Sequence, residues 1–304
     1  MFHSTFITQK NRKLSTMTAV SATVMLALSG CGAPSTDDEA GGTVGNVAED
    51  CTPTHEFPTL EDGVLTVAAM NAAPKFHALS DSGPFEGIDA ALITEFAEEN
   101  CLEVLFKPMT GAAAQLDLSE GKSDLFGGLH VKTDERAEVF GQAEGYIIYD
   151  ALGMTSATED SYDSLASLQG KKVGVLSGSF FAEPLKEALG EENVEEYQSE
   201  ANAFEDLKAG RIDAAANQSM MGFNFSNRED GYETVIFEED PDYPELTALF
   251  DINWPHTKDV PEFTAAIDDY YNRAKENGTV QRVLEENGVS PEVAEFYING
   301  RDDS

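Results

Sequence analysis

Between residues 63 and 298 the chain alternates two kinds of hydrophobic pattern. Short apolar runs of strand length, G-V-L-T-V-A-A-M (63–70), L-E-V-L-F (102–106) and S-D-L-F-G-G (123–128), are separated by segments whose apolar residues recur at helical spacing. Ile88, Leu92, Ile93 and Phe96 form one such stripe, and A-A-A-Q-L-D-L-S-E (112–120) leads to Gly121 as a helix end. The alternation restarts at K-K-V-G-V-L (171–176), passes through a helix carrying Leu185 and Leu189, and reaches a strand at V-E-E-Y (194–197). N-A-F-E-D-L-K-A-G (202–210) predicts a helix with Asn202 as N-cap, Glu205 at the third helical position and Gly210 at its end. I-D-A-A-A-N-Q (212–218), another helix and T-V-I-F (234–237) close the second series.

Two successive strand-helix-strand series imply two lobes, each a mainly parallel sheet flanked by helices. Two extended apolar segments, Y-I-I-Y-D-A-L-G-M (146–154) and L-T-A-L-F-D-I-N (246–253), bracket the second series and suit crossover strands. The tail is helical: Phe263, Ile267, Tyr270 and Ala274 share one face before Gly278, and Val280, Val283 and Leu284 share the next. If those helices pack back on the first series, the first lobe is discontinuous. The expected fold is therefore α/β with two lobes. Lobe 1 takes residues 59–150 and 250–304, lobe 2 takes 151–249, and the crossovers form a hinge.

The first 58 residues follow neither pattern. Lys10, Arg12 and Lys13 precede a mostly uncharged stretch that ends at L-S-G-C (28–31), and no acidic residue occurs before Asp37. A basic segment, an apolar segment and small residues before a cysteine form a secretory signal, here 1–30, too short and too rich in Ser and Thr for a membrane span. L-S-G-C resembles the lipobox of bacterial lipoproteins, which implies a lipid on Cys31 and anchoring to the outer face of the cytoplasmic membrane, at the cell surface or in a periplasm. An ordinary signal peptide with a chance cysteine is the alternative. Residues 31–58 are small, polar and acidic and read as a flexible tether. Cys51 and Cys101 remain as a pair outside the cytoplasm, either a disulfide or two buried thiols.

Charge narrows the partners. Without the signal, 16 Lys and Arg face 56 Asp and Glu, a net charge near −40. Nucleic acid is excluded, because phosphate binding needs a basic surface. Such an excess makes a solvated, self-repelling surface suited to salty surroundings. Five scattered His show no metal-ligand spacing, and neither a nucleophile elbow nor a phosphate-cradling loop is present, so no cofactor or metal is expected.

The order of A-P-K-F (73–76), E-G-I-D (86–89), E-G-K-S-D (120–124), T-D-E-R (133–136), L-Q-G-K-K-V-G-V-L-S-G-S (168–179), L-K-A-G-R-I-D-A (207–214) and E-N-G-T-V-Q-R-V-L (276–284) resembles the family 3 extracellular solute-binding proteins of amino-acid-type ABC importers. The resemblance spans nearly all of the mature chain. It implies an α/β two-lobed clamp of the periplasmic-binding-protein type (type II), non-enzymatic and monomeric, that closes on a small carboxylate-bearing solute and hands it to ABC permease subunits. Dehydratase-like enzymes on the same fold and a signalling receptor are the other readings. By the resemblance, Arg136 grips the ligand carboxylate, as a planar guanidinium suits, with a surface ion pair as its other reading.

S-G-S-F-F (177–181) reads as a helix opening whose backbone at Gly178 and Ser179 meets the same anion, a plain helix cap being the alternative for Ser179. Where amino-acid binders of this type carry an Asp for the ligand ammonium, this chain has Gln218 after Asn217, and the usual ring-stacking positions hold Ala73 and Gly111. Phe180, Phe181 or Phe76 as apolar walls, Asn217 and Gln218 as hydrogen-bonding groups, and His130 as a hydrogen-bonding residue complete the candidate site. The placement of His130 and Lys132 is uncertain by one position. The pocket expected from these residues takes a carboxylate but not an ordinary α-ammonium, as in a cyclic or substituted amino acid.

Overall fold

The strand Gly42–Val44 (β1) opens the computed structural model, which describes residues 42–160 and 162–301. The expected signal segment and Cys31 lie outside the described residues. The first series follows as Val64–Met70 (β2), the short pair His77–Ala78 (β3) and Phe85–Glu86 (β4), Ile88–Glu99 (α1), Glu103–Met109 (β5), Gly111–Ser119 (α2), Leu125–Gly127 (β6), His130–Val131 (β7) and Asp134–Val139 (α3). β2 lies between β5 and β6, parallel to both, and β1 closes the β5 edge antiparallel, giving the order β1-β5-β2-β6. Leu65 to Ala69 are all buried, as a parallel strand covered on both faces requires.

Ile148–Asp150 (β8) and Leu152–Ala157 (β9) make the outbound crossing. The second series is Val173–Leu176 (β10), Ala182–Leu189 (α4), Val194–Tyr197 (β11), Glu200–Lys208 (α5), Ala214–Gln218 (β12), Ser219–Ser226 (α6), Tyr232–Ile236 (β13) and Pro244–Thr247 (α7). Phe250–Asn253 (β14) returns, and Pro261–Glu276 (α8), Thr279–Glu286 (α9) and Pro291–Asn299 (α10) end the fold. The second sheet is mixed, in the order β11-β10-β12-β9-β13. The crossing strand β9 sits inside it, antiparallel to both β12 and β13. A strand arriving from the first lobe runs against the βαβ series it joins, a direction that apolar periodicity does not carry.

Among the described residues four buried clusters hold the sheets, two of them large. The first combines Leu65, Val67, Ile93, Phe96 and Val104 with Phe263, Ile267, Tyr270 and Val280 of the C-terminal helices, around a fully buried Trp254. Each large apolar side chain so buried contributes roughly 1.5–3 kcal/mol. The second core gathers Met154, Val173, Val175, Leu185 and Leu189 between β9, β10 and α4. Between the sheets β14 pairs antiparallel with both β7 and β8, so the return crossing lies beside the outbound one.

Local details depart from the sequence expectations. Leu246 and Thr247 finish α7 rather than begin a strand, with Pro244 at its start. The cap of α5 is Ser199, whose Oγ accepts from Asn202 N at 3.3 Å; Asn202 is already helical. The second half of the expected tether is fastened to the first lobe. β1 extends the sheet, Thr54 N donates to Glu99 O at 2.9 Å, and the Phe57 ring stacks on Phe263 at 4.5 Å. Acidic, small-residue composition hides this attachment, because it rests on isolated apolar residues and on Cys51, which forms a disulfide with Cys101.

At the crossing, Asp150 Oδ1 accepts from Ala151 N at 2.7 Å and Ser219 Oγ at 2.5 Å, and Ser219 Oγ meets Tyr297 Oη at 3.0 Å. Burial pushes the Asp150 carboxyl up to about 6, against the opposing pull of these donors and of Lys75.

Two outcomes follow. Reducing the disulfide, or the Cys51→Ser/Cys101→Ser variant, should cost about 3–4 kcal/mol of unfolding free energy in urea for a 50-residue separation. A loss under about 1 kcal/mol would mean that β1 and Phe57 suffice to hold the strap. Asp150, titrating near 6 folded and about 3.9 unfolded, binds protons more readily when folded. Its contribution is present below about pH 4 and lost as pH rises through about 6, on the order of 2–3 kcal/mol. Relative to Asp150→Asn, the wild-type chain should therefore lose stability between pH 4 and 8; a pH-independent difference would refute that titration.

Candidate functional site

Parallel strands end together between the two sheets: Met70 ends β2, Gly127 ends β6, Leu176 ends β10 and Gln218 ends β12. The carboxyl ends of strands in open α/β sheets are where such folds hold ligands. A cavity of about 340 Å³ lies there, lined from both series.

On the first lobe, Thr133 caps α3 by accepting from Arg136 N at 3.2 Å, which places Arg136 in the first turn beside β7. Arg136 Nη1 donates to Val131 O at 2.5 Å, and the guanidinium lines the cavity half-buried. Burial lowers its pKa, with Glu135 pulling the other way. His130 lies against the Phe126 ring, with centroids 3.6 Å apart, and its Nε2–H donates to Gly127 O at 3.3 Å. Burial first, then Arg136 and Lys75, hold its pKa well below 6.5, so the imidazole is neutral at pH 7.

Lys75 is the largest departure from the sequence reading. Its side chain is 1 % exposed, lines the cavity, and donates from Nζ to Gln218 Oε1 across the two lobes. Burial lowers its pKa, opposed chiefly by Glu200 and then by Asp150 and Asp89. The backbone around it is locked by E-G-I-D. Asp89 N donates to Lys75 O at 2.8 Å, and Gly87, at φ +110°, approaches so closely that a Cβ there would stand 2.7 Å from Lys75 O. The Asp89 carboxylate accepts from Trp254 Nε1 and Leu129 N, both at 2.8 Å, and from Gly128 N. It thereby fixes the loop that carries His130.

On the second lobe, S-G-S-F-F forms a turn, and α4 opens only at Ala182. Gly178 takes the left-handed φ of +71°, and Ser179 N donates to Leu176 O at 3.1 Å. The Ser179 N–H is thus engaged within the turn, and its hydroxyl remains to meet a ligand. Ser179 Oγ and the Oδ1 and Nδ2 of Asn217 are buried without a hydrogen-bond partner among the described residues. Gln218 Nε2 donates to Leu129 O at 3.4 Å, so Gln218 reaches two segments of the opposite lobe.

Arg136, His130, Gly178, Ser179, Phe180, Asn217 and Gln218 line the one cavity; Phe76 does not. Phe76 is fully buried against Phe85 and Phe106, the place of a core ring preceding a strand pair. Ala73 also lies off this cavity, its carbonyl accepting from Asn224 Nδ2, and Lys132 donates to Glu144 O elsewhere. Gly111 lines the cavity without a ring, but Phe126 and Phe180 supply aromatic walls. In sequence Phe126 reads only as a strand residue. For Lys75 the available signal was a lysine between Pro74 and Phe76. Among the described residues no group of three or more His, Cys, Asp or Glu can hold a metal ion, and no helix is long and apolar enough to cross a membrane.

A family model for bacterial extracellular solute-binding proteins, family 3, matches residues 65–288. The L-cystine-binding protein TcyJ of Escherichia coli (strain K12) is 26% identical over 155 residues, 51% of this chain and 58% of that protein. The chain thus spans little more than half the length of that relative. The glutamate-binding protein GluB of Corynebacterium efficiens is 22% identical over 236 residues, 75% of this chain and 80% of its own. Among solved structures, the amino acid ABC transporter substrate-binding protein AbpA of Streptococcus pneumoniae, bound to L-arginine, superposes with a TM-score of 0.65 at 24% identity, over 76% of this chain and 96% of that one. The ancestral amino-acid-binding protein AncCDT-1, a precursor of cyclohexadienyl dehydratase, gives 0.64 at 20%, over 74% and 94%. The two solved structures share the fold of this chain. With the family model covering most of the described residues, the chain belongs to the bacterial extracellular solute-binding proteins, family 3.

Proposed function

We propose that this chain is the lipid-anchored substrate-binding component of an ABC importer, which captures a small carboxylate-bearing solute between its lobes and delivers it to a membrane permease. The observation that carries the reading is a half-buried guanidinium without an ion pair among the described residues, Arg136, in the same cavity as unpartnered polar atoms of the other lobe, Ser179 Oγ and the Asn217 amide. A carboxylate meeting both halves binds the closed clamp better than the open one, and that difference drives closure. The amino-acid binders among the relatives support the solute class. Gln218 already receives the Lys75 ammonium, so the solute is an amino-acid derivative or similar carboxylate without an ordinary free α-ammonium. The protein acts as a monomer and returns its ligand chemically unchanged. The neutral His130, which an enzyme reading would use as a base, donates its Nε2 proton to Gly127 O.

Two measurements test this reading. Thermal-shift screening of the purified full chain against carboxylates should find solutes that raise Tm by mass action. Arg136→Ala should weaken that binding on the order of 100-fold while leaving the unliganded Tm within about 2 °C, less than 1 kcal/mol for a chain of this size. An equal loss of unliganded stability would make Arg136 a structural residue instead. For the anchor, Cys31→Ser should abolish incorporation of radiolabelled palmitate and release the protein from cell membranes; unchanged labelling would refute lipidation at Cys31.

A further inference from the structure

We propose that the solute held in this cavity is an amine-free dianion, a small dicarboxylate whose first carboxylate lies on Arg136 and whose second lies on Lys75. The inference rests on the solute-binding reading above and concerns which solute that site selects.

Lys75 is a buried cation with three N–H donors, and its only hydrogen-bond partner among the described residues is the uncharged Gln218 Oε1. Neither Lys75 nor Arg136 has an ion pair among the described residues, although both line one cavity. Taking a charge out of water without a counter-ion is costly, and the cost is recovered when an opposite charge is held against it.

The neighbouring carboxylates do not fill that role. Asp89 has both oxygens committed to Trp254, Gly128 and Leu129, and Asp150 is held by Ala151 and Ser219. Glu200 lines the same cavity and is the strongest charge acting on Lys75, but it makes no ion pair with it; half-exposed, it also lines two neighbouring grooves. Besides Glu200, the cavity's polar lining includes two basic side chains, a neutral His130, and the amides of Asn217 and Gln218. Those amides can donate to or accept from the same oxygens.

The same geometry disfavours an ammonium at Gln218. A ligand amine brought there would meet the Lys75 ammonium that Gln218 already binds, a like-charge contact beside a buried side chain. A cavity of about 340 Å³ is at the small end of ligand sites and suits a short dicarboxylate or an N-acylated acidic amino acid.

The test is calorimetric titration of the full chain with glutarate and N-acetyl-L-glutamate, against butyrate, N-acetyl-L-alanine and L-glutamate. Each dicarboxylate without a free amine should bind at least about tenfold more tightly than its monocarboxylate counterpart, and N-acetyl-L-glutamate more tightly than L-glutamate. Lys75→Met should erase the preference for the second carboxylate while retaining monocarboxylate binding. Should that variant not fold, the wild-type ratios alone decide the matter. Monocarboxylates binding as well as dicarboxylates, or a preference that survives in Lys75→Met, overturns the assignment of Lys75 and leaves the solute-binding reading standing. L-Glutamate binding better than its N-acetyl derivative overturns the exclusion of an amine. No response to any carboxylate overturns both readings.

Discussion

The buried carboxylate of Asp89 ties together the parts of the first lobe that matter for binding. It accepts from Trp254 on the chain just past the return strand and from Gly128 and Leu129 on the loop leading to His130, while its own backbone N–H donates to Lys75 O. A carboxylate can accept several such bonds at once, and buried donors left unpaired would each cost about 1–3 kcal/mol. One side chain therefore fixes the entrance to α3, which carries Arg136, against the strand β14 around which the lobes meet. Burial raises the pKa of Asp89, and the three donors and Lys75 bring it partly back, so the residue stands at the meeting point of the fold's polar and charged networks.

Much of this architecture is legible in hydrophobic periodicity, and the limits of that legibility have physical causes. The alternating runs place β2, β5, β6, β10, β11 and β12 because each is a short run set off from segments of helical spacing. Strand direction has no such signature, so β9, extended and apolar like its neighbours, does not disclose that it runs antiparallel in the middle of the second sheet. The strap before β2 is hidden for a different reason: a few contacts from Val44, Phe57 and Cys51 outweigh a composition that otherwise favours disorder. In the cavity, Arg136, Asn217 and Gln218 stand out because their types are chemically specific at those positions. Lys75 does not stand out, since a lone lysine in a turn is normally solvated, and its burial depends on Gly87 allowing a second segment to lie directly against it. Phe76 shows the converse, a ring beside the site in sequence whose side chain points into the core.

The chain carries a formal net charge of −37, yet its cavity presents cations. For an anionic solute the two fields oppose one another, and they respond differently to salt. Exposed carboxylates are screened over roughly 8 Å at 0.15 M and about 3 Å at 1 M ionic strength, whereas a charge held in a buried site is screened much less. Salt thus removes the outer repulsion and leaves most of the inner attraction. An acidic exterior and an anion-binding interior are therefore compatible in salty surroundings and work against each other in dilute ones.

The site and the hinge adjoin along the chain. Gln218 is the last residue of β12 and Ser219 the first of α6, so the residue that reaches Lys75 and Leu129 is one peptide bond from the residue that holds Asp150 and Tyr297. A side chain rooted so close to the crossing strands travels little when one lobe turns on the other. Ser179 and Phe180, on the turn after β10, are not tied to that network, and their bonds to a ligand depend more strongly on how far the clamp has closed. On the proposed reading, selection and closure fall to different residues of the same cavity: Lys75, Asn217 and Gln218 would discriminate among solutes, while Arg136 and Ser179, one from each lobe, would make the contacts whose strength differs between open and closed forms. That difference alone can shift the equilibrium between them.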